Sequence, residues 1–169
     1  HEKISDILMQ KLNEEFDGKL DLAIDIFNFR YSQKPFLSQL ISSQLDMDRL
    51  DYLLRDSFFT GVSEGVVGAE RLINMLHVHQ GQLVVEEKGI YSVEKFLVAR
   101  RLMYWQVYMH KTVTAADQLL ISILKRARDI ASSGKALGSY HPLVHFLGTD
   151  INEANFDNEA VNTYTLLDD

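Results

Sequence analysis

The stretch Gln44 to Asp56, QLDMDRLDYLLRD, interleaves carboxylates, guanidinium groups and a phenol at helical spacing. At about 100° per residue, Asp51, Arg55, Asp48, Tyr52, Asp56 and Arg49 fall on one contiguous arc. Leu53, Leu50, Leu54, Met47 and Phe58 fill the opposite, packing arc. The polar arc can ligate a cation through a carboxylate, hold phosphate through guanidinium and donate a phenolic hydrogen bond. It is also what a solvated helix face looks like, with Asp51 and Arg55 paired at i,i+4, and spacing alone favours that plainer reading. A second set, Arg100, Tyr104, Tyr108 and Lys111, lies at i, i+4, i+8 and i+11, within an arc of about 80° on one helix. A snorkelling amphipathic stripe has the same pattern. His110 points about 80° away from Arg100 on an ideal helix, so either the helix ends before it or it serves another contact.

These residues must be carried by helices. Apolar side chains at Ile4, Ile7, Leu8, Leu12 and Phe16 predict a helix over 2–16 that Gly18 ends, followed by a short one over 20–29. A third opens at Pro35 and runs through Ile41 until Ser42 and Ser43, either of which can cap the Gln44–Asp56 helix. Residues 60–65 read as a loop, and Gly68 to Val78 as a helix packing Leu72, Ile73, Met75 and Leu76. Gln82 to Glu87 reads as a strand, with Lys88-Gly89 turning into a short partner. Ser92 then caps a long helix to about Lys111, and Thr114 with Asp117 resembles a capping box for another, which ends at Ser132-Ser133-Gly134. The fold class is mostly α with one small β-hairpin. Residues 135–169 have weaker periodicity and loop-like composition.

The 169 residues are 46% hydrophobic, enough for one ordinary domain core. No apolar run reaches the roughly 18 residues of a membrane span, and the charged start HEKISDILMQKL is unlike a secretory signal. Zero cysteines exclude disulfides and cysteine-ligated zinc, which fits a cytoplasmic protein. The first residue is histidine rather than methionine, so a fragment of a longer chain is expected. A formal charge of −7 argues against general nucleic-acid binding. It leaves room for a nucleotide pocket, because Arg100-Arg101, His110-Lys111 and the group Lys125, Arg126 and Arg128 can make local positive potential. His77 and His79, two apart, would share one face of a strand, but no third metal ligand is evident and solvated histidines are the simpler reading. His141 and His145 flank Pro142 without a third partner and carry no metal expectation.

The string Asp46-Met47-Asp48-Arg49-Leu50-Asp51-Tyr52-Leu53-Leu54-Arg55-Asp56 resembles the D-x-D-[RK]-x-D-Y-x-x-R-D signature of the HD-domain deoxynucleoside triphosphate triphosphohydrolases. That family includes bacterial dNTP and dGTP triphosphohydrolases and the mammalian SAM and HD domain protein. The block YWQVYMHK is similar to the family's Y-x-H-K motif, with Arg100 at the matching eight-residue offset before Tyr108. HEKISDILM resembles the start of the helix after the family's second metal motif. The likeness covers most of the chain to Gly134 and fades beyond.

The resemblance implies an HD-domain-like helical bundle, with 1–134 the C-terminal part of an HD phosphohydrolase domain and 135–169 an extension. Asp48 would be the last ligand of the H…HD…D set for a divalent metal, whether Mg, Mn, Fe, Ni or Zn. Arg49, Arg100 and Lys111 would contact phosphates. Tyr52 and Asp56 would bind deoxyribose, Asp56 accepting from the 3′ hydroxyl, with Tyr108 on the sugar and base and His110 also in the substrate-binding set. His1 would be a catalytic acid oriented by Glu2. The implied reaction is metal-dependent hydrolysis of a dNTP to deoxynucleoside and triphosphate. The implied assembly is a homo-oligomer, dimer or tetramer, with an allosteric nucleotide site near His77, where the family often has a more strongly basic residue. No H…HD counterpart occurs in these residues, so the expectation is an active parent and a chain inactive alone. Another HD-type nucleotidase or phosphodiesterase, or a noncatalytic nucleotide-binding or oligomerising module, remains as an alternative; Tyr52 and Asp56 argue for the triphosphohydrolase branch.

Overall fold

The structure, a computed structural model, describes residues 2–135, 142–152 and 155–167, and of Glu2 the backbone only. It separates into two compact units, His1–His110 and Lys111–Asp169. Among the described residues there are nine α-helices and one two-stranded antiparallel sheet, so the mostly α class with a small hairpin is what is found.

In the first unit, α1 (Glu2–Glu15), α2 (Asp21–Phe27) and α3 (Phe36–Ile41) lead to α4 (Met47–Thr60). Gly18 sits at φ 78°, a left-handed conformation that ends α1 as expected. The cap of α4 is Asp46 and neither serine. Its extended backbone lets Oδ1 accept from the Arg49 amide at 2.8 Å while Oδ2 accepts from the Ser43 amide at 3.2 Å. Leu50, Leu53 and Ser57 are the buried positions of α4. Phe58, expected on the packing arc, is instead 80% exposed. Ser57 takes the inward place in that turn because the 3₁₀ turn Ser63–Gly65 closes over it, Ser57 Oγ donating to the Val62 carbonyl at 2.6 Å. Gly65 is obligatory there: a Cβ would lie 2.6 Å from Met103 Sδ and 2.9 Å from Ser57 Cβ.

The expected helix to Val78 stops much earlier. Helix α5 covers Ala69–Asn74, and Leu76–His79 forms strand β1, paired with β2 (Gln82–Val85) in the register Leu76↔Val85 to His79↔Gln82. The partner of the predicted strand therefore precedes it. Gln80 and Gly81, at φ 50° and 78°, supply the two positive-φ residues of a tight hairpin turn. Lys88 and Gly89 belong to a 3₁₀ turn that feeds the next helix. Gln39 of α3 holds the hairpin, accepting from the Leu83 amide and donating to Gln82 Oε1, both at 2.7 Å.

Helix α6 (Ile90–Met103) starts after Gly89 without a side-chain cap, so Ser92 does not cap it. Phe96, Ala99 and Met103 pack it into a core with Leu50, Leu53, Val67 and Leu72. The expected continuation to Lys111 fails. Residues Tyr104–Tyr108 form a π-helical turn, closed by the Met109 amide on the Tyr104 carbonyl at 2.8 Å, and the helix ends before His110.

In the second unit α7 (Lys111–Ser132), α8 (Pro142–Gly148) and α9 (Asn158–Tyr164) follow. Helix α7 begins at Lys111, so Thr114 lies inside it and opens nothing; it ends where expected, before Gly134 at φ 77°. Asp157 caps α9 by accepting from the Glu159 and Ala160 amides, both at 3.0 Å. Phe146 and Phe156 each meet Tyr164 edge-on at 6.2 Å. His141 lies outside the described residues.

Candidate functional site

The site lies where α4 and α6 pack, and the shared core sets its geometry. Burying Leu50 and Leu53 on one side of α4 turns Tyr52 and Asp56 toward the last turns of the α6 segment. The Tyr108 hydroxyl donates to Asp56 Oδ2 at 2.6 Å. Tyr108 meets Tyr52 edge-on at 6.1 Å and Tyr104 edge-on at 5.0 Å. Arg100 places its guanidinium carbon 5.3 Å from the Tyr104 ring centroid. The π turn carries Tyr104 and Tyr108 together, a local departure frequently associated with functional sites.

The electrostatics follow from this packing. Burial pushes the Tyr108 phenol well above its ordinary value, and the hydrogen bond to the Asp56 carboxylate pushes it further. Arg100 is held above its ordinary value, chiefly by hydrogen bonding to Tyr52, against the opposing effect of desolvation. Its Nε atom is buried and has no hydrogen-bond partner among the described residues. Leu97, Arg100, Arg101 and Tyr104 line an open depression of about 270 Å³. The arrangement therefore offers an acceptor carboxylate, phenols and a guanidinium, a set suited to a polyol at one end and an anion at the other.

Of the residues singled out in the sequence, Tyr52, Asp56, Arg100 and Tyr108 come together. Arg49 sits one turn before Tyr52, its guanidinium turned onto the Ser43 carbonyl and 3.6 Å from Asp46 Oδ2. Asp48 is exposed in the first turn of α4, and no group of three metal-ligating side chains occurs among the described residues. The described residues therefore do not make a metal site by themselves. His110 is exposed just after the π turn, and Lys111, at the head of α7, belongs to the second unit. His1 lies outside the described residues, and of Glu2 only its place at the start of α1 is described. Tyr104, in the sequence a member of the stripe without an assigned role, joins the set of Tyr52, Asp56, Arg100 and Tyr108; its i+4 spacing from Arg100 and i−4 from Tyr108 is the signal that marks it. His77 pairs with Glu86, which also pairs with Lys88 at 2.5 Å. Glu86 is held below the ordinary carboxylate value, first by Lys88, with His77 adding to it.

Residues 67–137 match the family described as the HD associated region. The structure is similar to a phosphohydrolase of Bacteroides thetaiotaomicron at a TM-score of 0.91 and 53% identity, covering 97% of this chain and 41% of that one. In sequence it is 41% identical over 116 residues to YwfO of Bacillus subtilis, covering 69% of this chain and 26% of the relative. It is 30% identical over 115 residues to L394 of Acanthamoeba polyphaga mimivirus, whose name assigns it an HD domain, covering 66% and 25%. Residues 67–137 thus match an HD associated region, and the chain is structurally similar to part of an HD-type phosphohydrolase. It spans about a quarter of the length of these curated relatives.

Proposed function

We propose that this chain supplies the nucleotide-holding part of a metal-dependent HD-type hydrolase that splits dNTPs into deoxynucleoside and triphosphate. The observation that carries the reading is the joined set of Tyr52, Asp56, Arg100 and Tyr108, whose chemistry suits a sugar beside a phosphate chain. Arg100 receives phosphate oxygens through its guanidinium, and Arg49 and Lys111 supply further cationic donors. Asp56, already accepting from Tyr108, keeps a second oxygen for the 3′ hydroxyl of the sugar. Tyr52 packs under the ring and disfavours a 2′ hydroxyl by sterics. Asp48 is the one side chain assigned to the divalent metal; the remaining ligands come from other parts of the longer protein. His1 acts as a proton donor to the leaving group, oriented by Glu2.

The same reading makes the parent a cytoplasmic homo-oligomer, dimer or tetramer, with a regulatory nucleotide near His77, and treats 1–134 as part of its HD domain and 135–169 as an extension. No helix among the described residues is long and apolar enough to cross a bilayer. The test is incubation of the full-length protein with each dNTP, singly and mixed, plus Mg²⁺ or Mn²⁺, with products resolved by ion exchange. Triphosphate release abolished by Asp48→Ala supports the proposal. Monophosphate with pyrophosphate would make it a different HD-type phosphohydrolase, and no turnover with any mixture would leave a noncatalytic nucleotide-binding module.

A further inference from the structure

We propose that Phe59 is the platform on which the base of the bound nucleotide stacks, an inference that rests on the nucleotide reading of the site. Phe59 lies three residues after Asp56 and seven after Tyr52, which on a helix is the same face, about 60° and 20° away respectively. It is 78% exposed, although the phenylalanine ring is among the largest apolar groups on the chain. Its ring meets the equally exposed Phe58 ring edge-on at 5.3 Å. Gly61, at φ 70°, ends α4 two residues later.

The order of groups along the site gives the ligand's direction. Arg49, Tyr52, Asp56 and Phe59 follow one another toward the C-terminal end of α4, so cation, sugar contacts and aromatic come in the sequence phosphate, sugar, base. The α6 segment follows the same sense: Tyr52 is the main influence raising the Arg100 pKa, and the Tyr108 hydroxyl, eight residues after Arg100, donates to Asp56 Oδ2 at 2.6 Å. A ligand held with phosphates at Arg100 and sugar at Asp56 must project its third part past Asp56. On a rise of about 1.5 Å per residue, Phe59 stands about 4.5 Å beyond Asp56 along the axis, within the reach of a ring attached to that sugar. An aromatic face recognises any base, since every base has a π-face, so the platform supplies affinity with only a modest purine preference.

The experiment is calorimetric titration of the full-length protein, with divalent metal chelated, by dGTP, by dTTP and by inorganic tripolyphosphate. Wild type, Phe59→Ala and Phe59→Trp are compared. The expected result is that Phe59→Ala weakens both dNTPs by about five- to 150-fold, leaves tripolyphosphate unchanged, and that Phe59→Trp keeps dNTP affinity. A Phe59→Ala protein that still prefers dNTPs over tripolyphosphate as wild type does overturns the platform and leaves the nucleotide reading standing. A wild-type protein that binds no dNTP more tightly than tripolyphosphate overturns both.

Discussion

Replacing Tyr108 with phenylalanine keeps the ring and its edge contacts with Tyr52 and Tyr104 and removes one hydroxyl. The bond lost is an O–H···O⁻ contact of 2.6 Å, in the short range of charge-assisted bonds. Such bonds contribute about 1.5–3 kcal/mol. Both partners are only partly buried, so water refills part of the gap and the expected loss is about 1–2 kcal/mol. Urea denaturation followed by circular dichroism gives that number. A double-mutant cycle with Asp56→Asn separates the pair's coupling from each side chain's own effect. Proton linkage supplies a second signature. Because the folded Tyr108 phenol sits above its unfolded value, the folded protein keeps this proton when the unfolded chain gives it up. The contribution is therefore fully present below about pH 10 and declines as pH rises from there toward the raised folded value, at most about 1.4 kcal/mol per pH unit. The stability advantage of wild type over Tyr108→Phe should be flat below pH 10 and shrink above it. A coupling below about 0.3 kcal/mol in the cycle, or an advantage that does not change with alkaline pH, would refute the reasoning.

Three further outcomes follow from packing and capping. Gly65→Ala forces a Cβ to within 2.6 Å of Met103 Sδ, and overpacking of that kind costs about 1–3 kcal/mol in a denaturation midpoint. Asp46→Ala removes the acceptor of both the Arg49 and Ser43 amides and should cost about 0.5–2 kcal/mol, with Asp46→Asn recovering much of it. Phe96→Ala empties a fully buried position between α6 and the rest of the core and should cost about 3–5 kcal/mol by the same assay.

What the sequence made legible was set by periodicity, and what it hid was set by contacts between distant segments. The face of α4 could be read because leucines at 50 and 53 recur at helical spacing. How far the core reaches along that face could not, because Gly65 and Val62 decide that Ser57 and not Phe58 is covered. The cap of α4 was misplaced onto the serines because all three residues are good caps, and only the backbone at Asp46, with φ −91° and ψ 163°, selects one. Leu76–His79 satisfies both a helix end and a strand; the Gln39 side chain that fixes the hairpin lies more than forty residues before the β2 residues it bonds. The π turn was invisible for a different reason. A single wide turn shifts the phase of the residues after it without leaving any gap in the hydrophobic pattern. Spacing gave the two stripes separately and alone favoured solvated faces; it was the resemblance that implied a joint role for Tyr52, Asp56, Arg100 and Tyr108, which the structure brings within reach of one another.

The polar face of α4 admits two readings, a solvated ion-pair face and a binding face, and its two edges differ: one carries an exposed ion pair, the other packs onto α6. Arg55 Nη2 lies 3.1 Å from Asp51 Oδ2, with both side chains more than half exposed. An exposed i,i+4 pair contributes about 0.3–0.5 kcal/mol and is screened by salt. Tyr52 and Asp56, one position further along the chain in each case, are rotated about 100° from that pair, onto α6. A one-residue step thus separates the exposed ion pair from the edge proposed to hold the sugar on the same two helical turns. Arg55→Ala should therefore shift stability by no more than about 0.5 kcal/mol and leave nucleotide affinity at wild-type level, whereas Asp56→Asn should weaken a dNTP while sparing tripolyphosphate. Equal losses of dNTP affinity in the two variants would mean that the whole charged arc acts as one diffuse anion-attracting surface, and the division of α4 into two functional edges would be wrong.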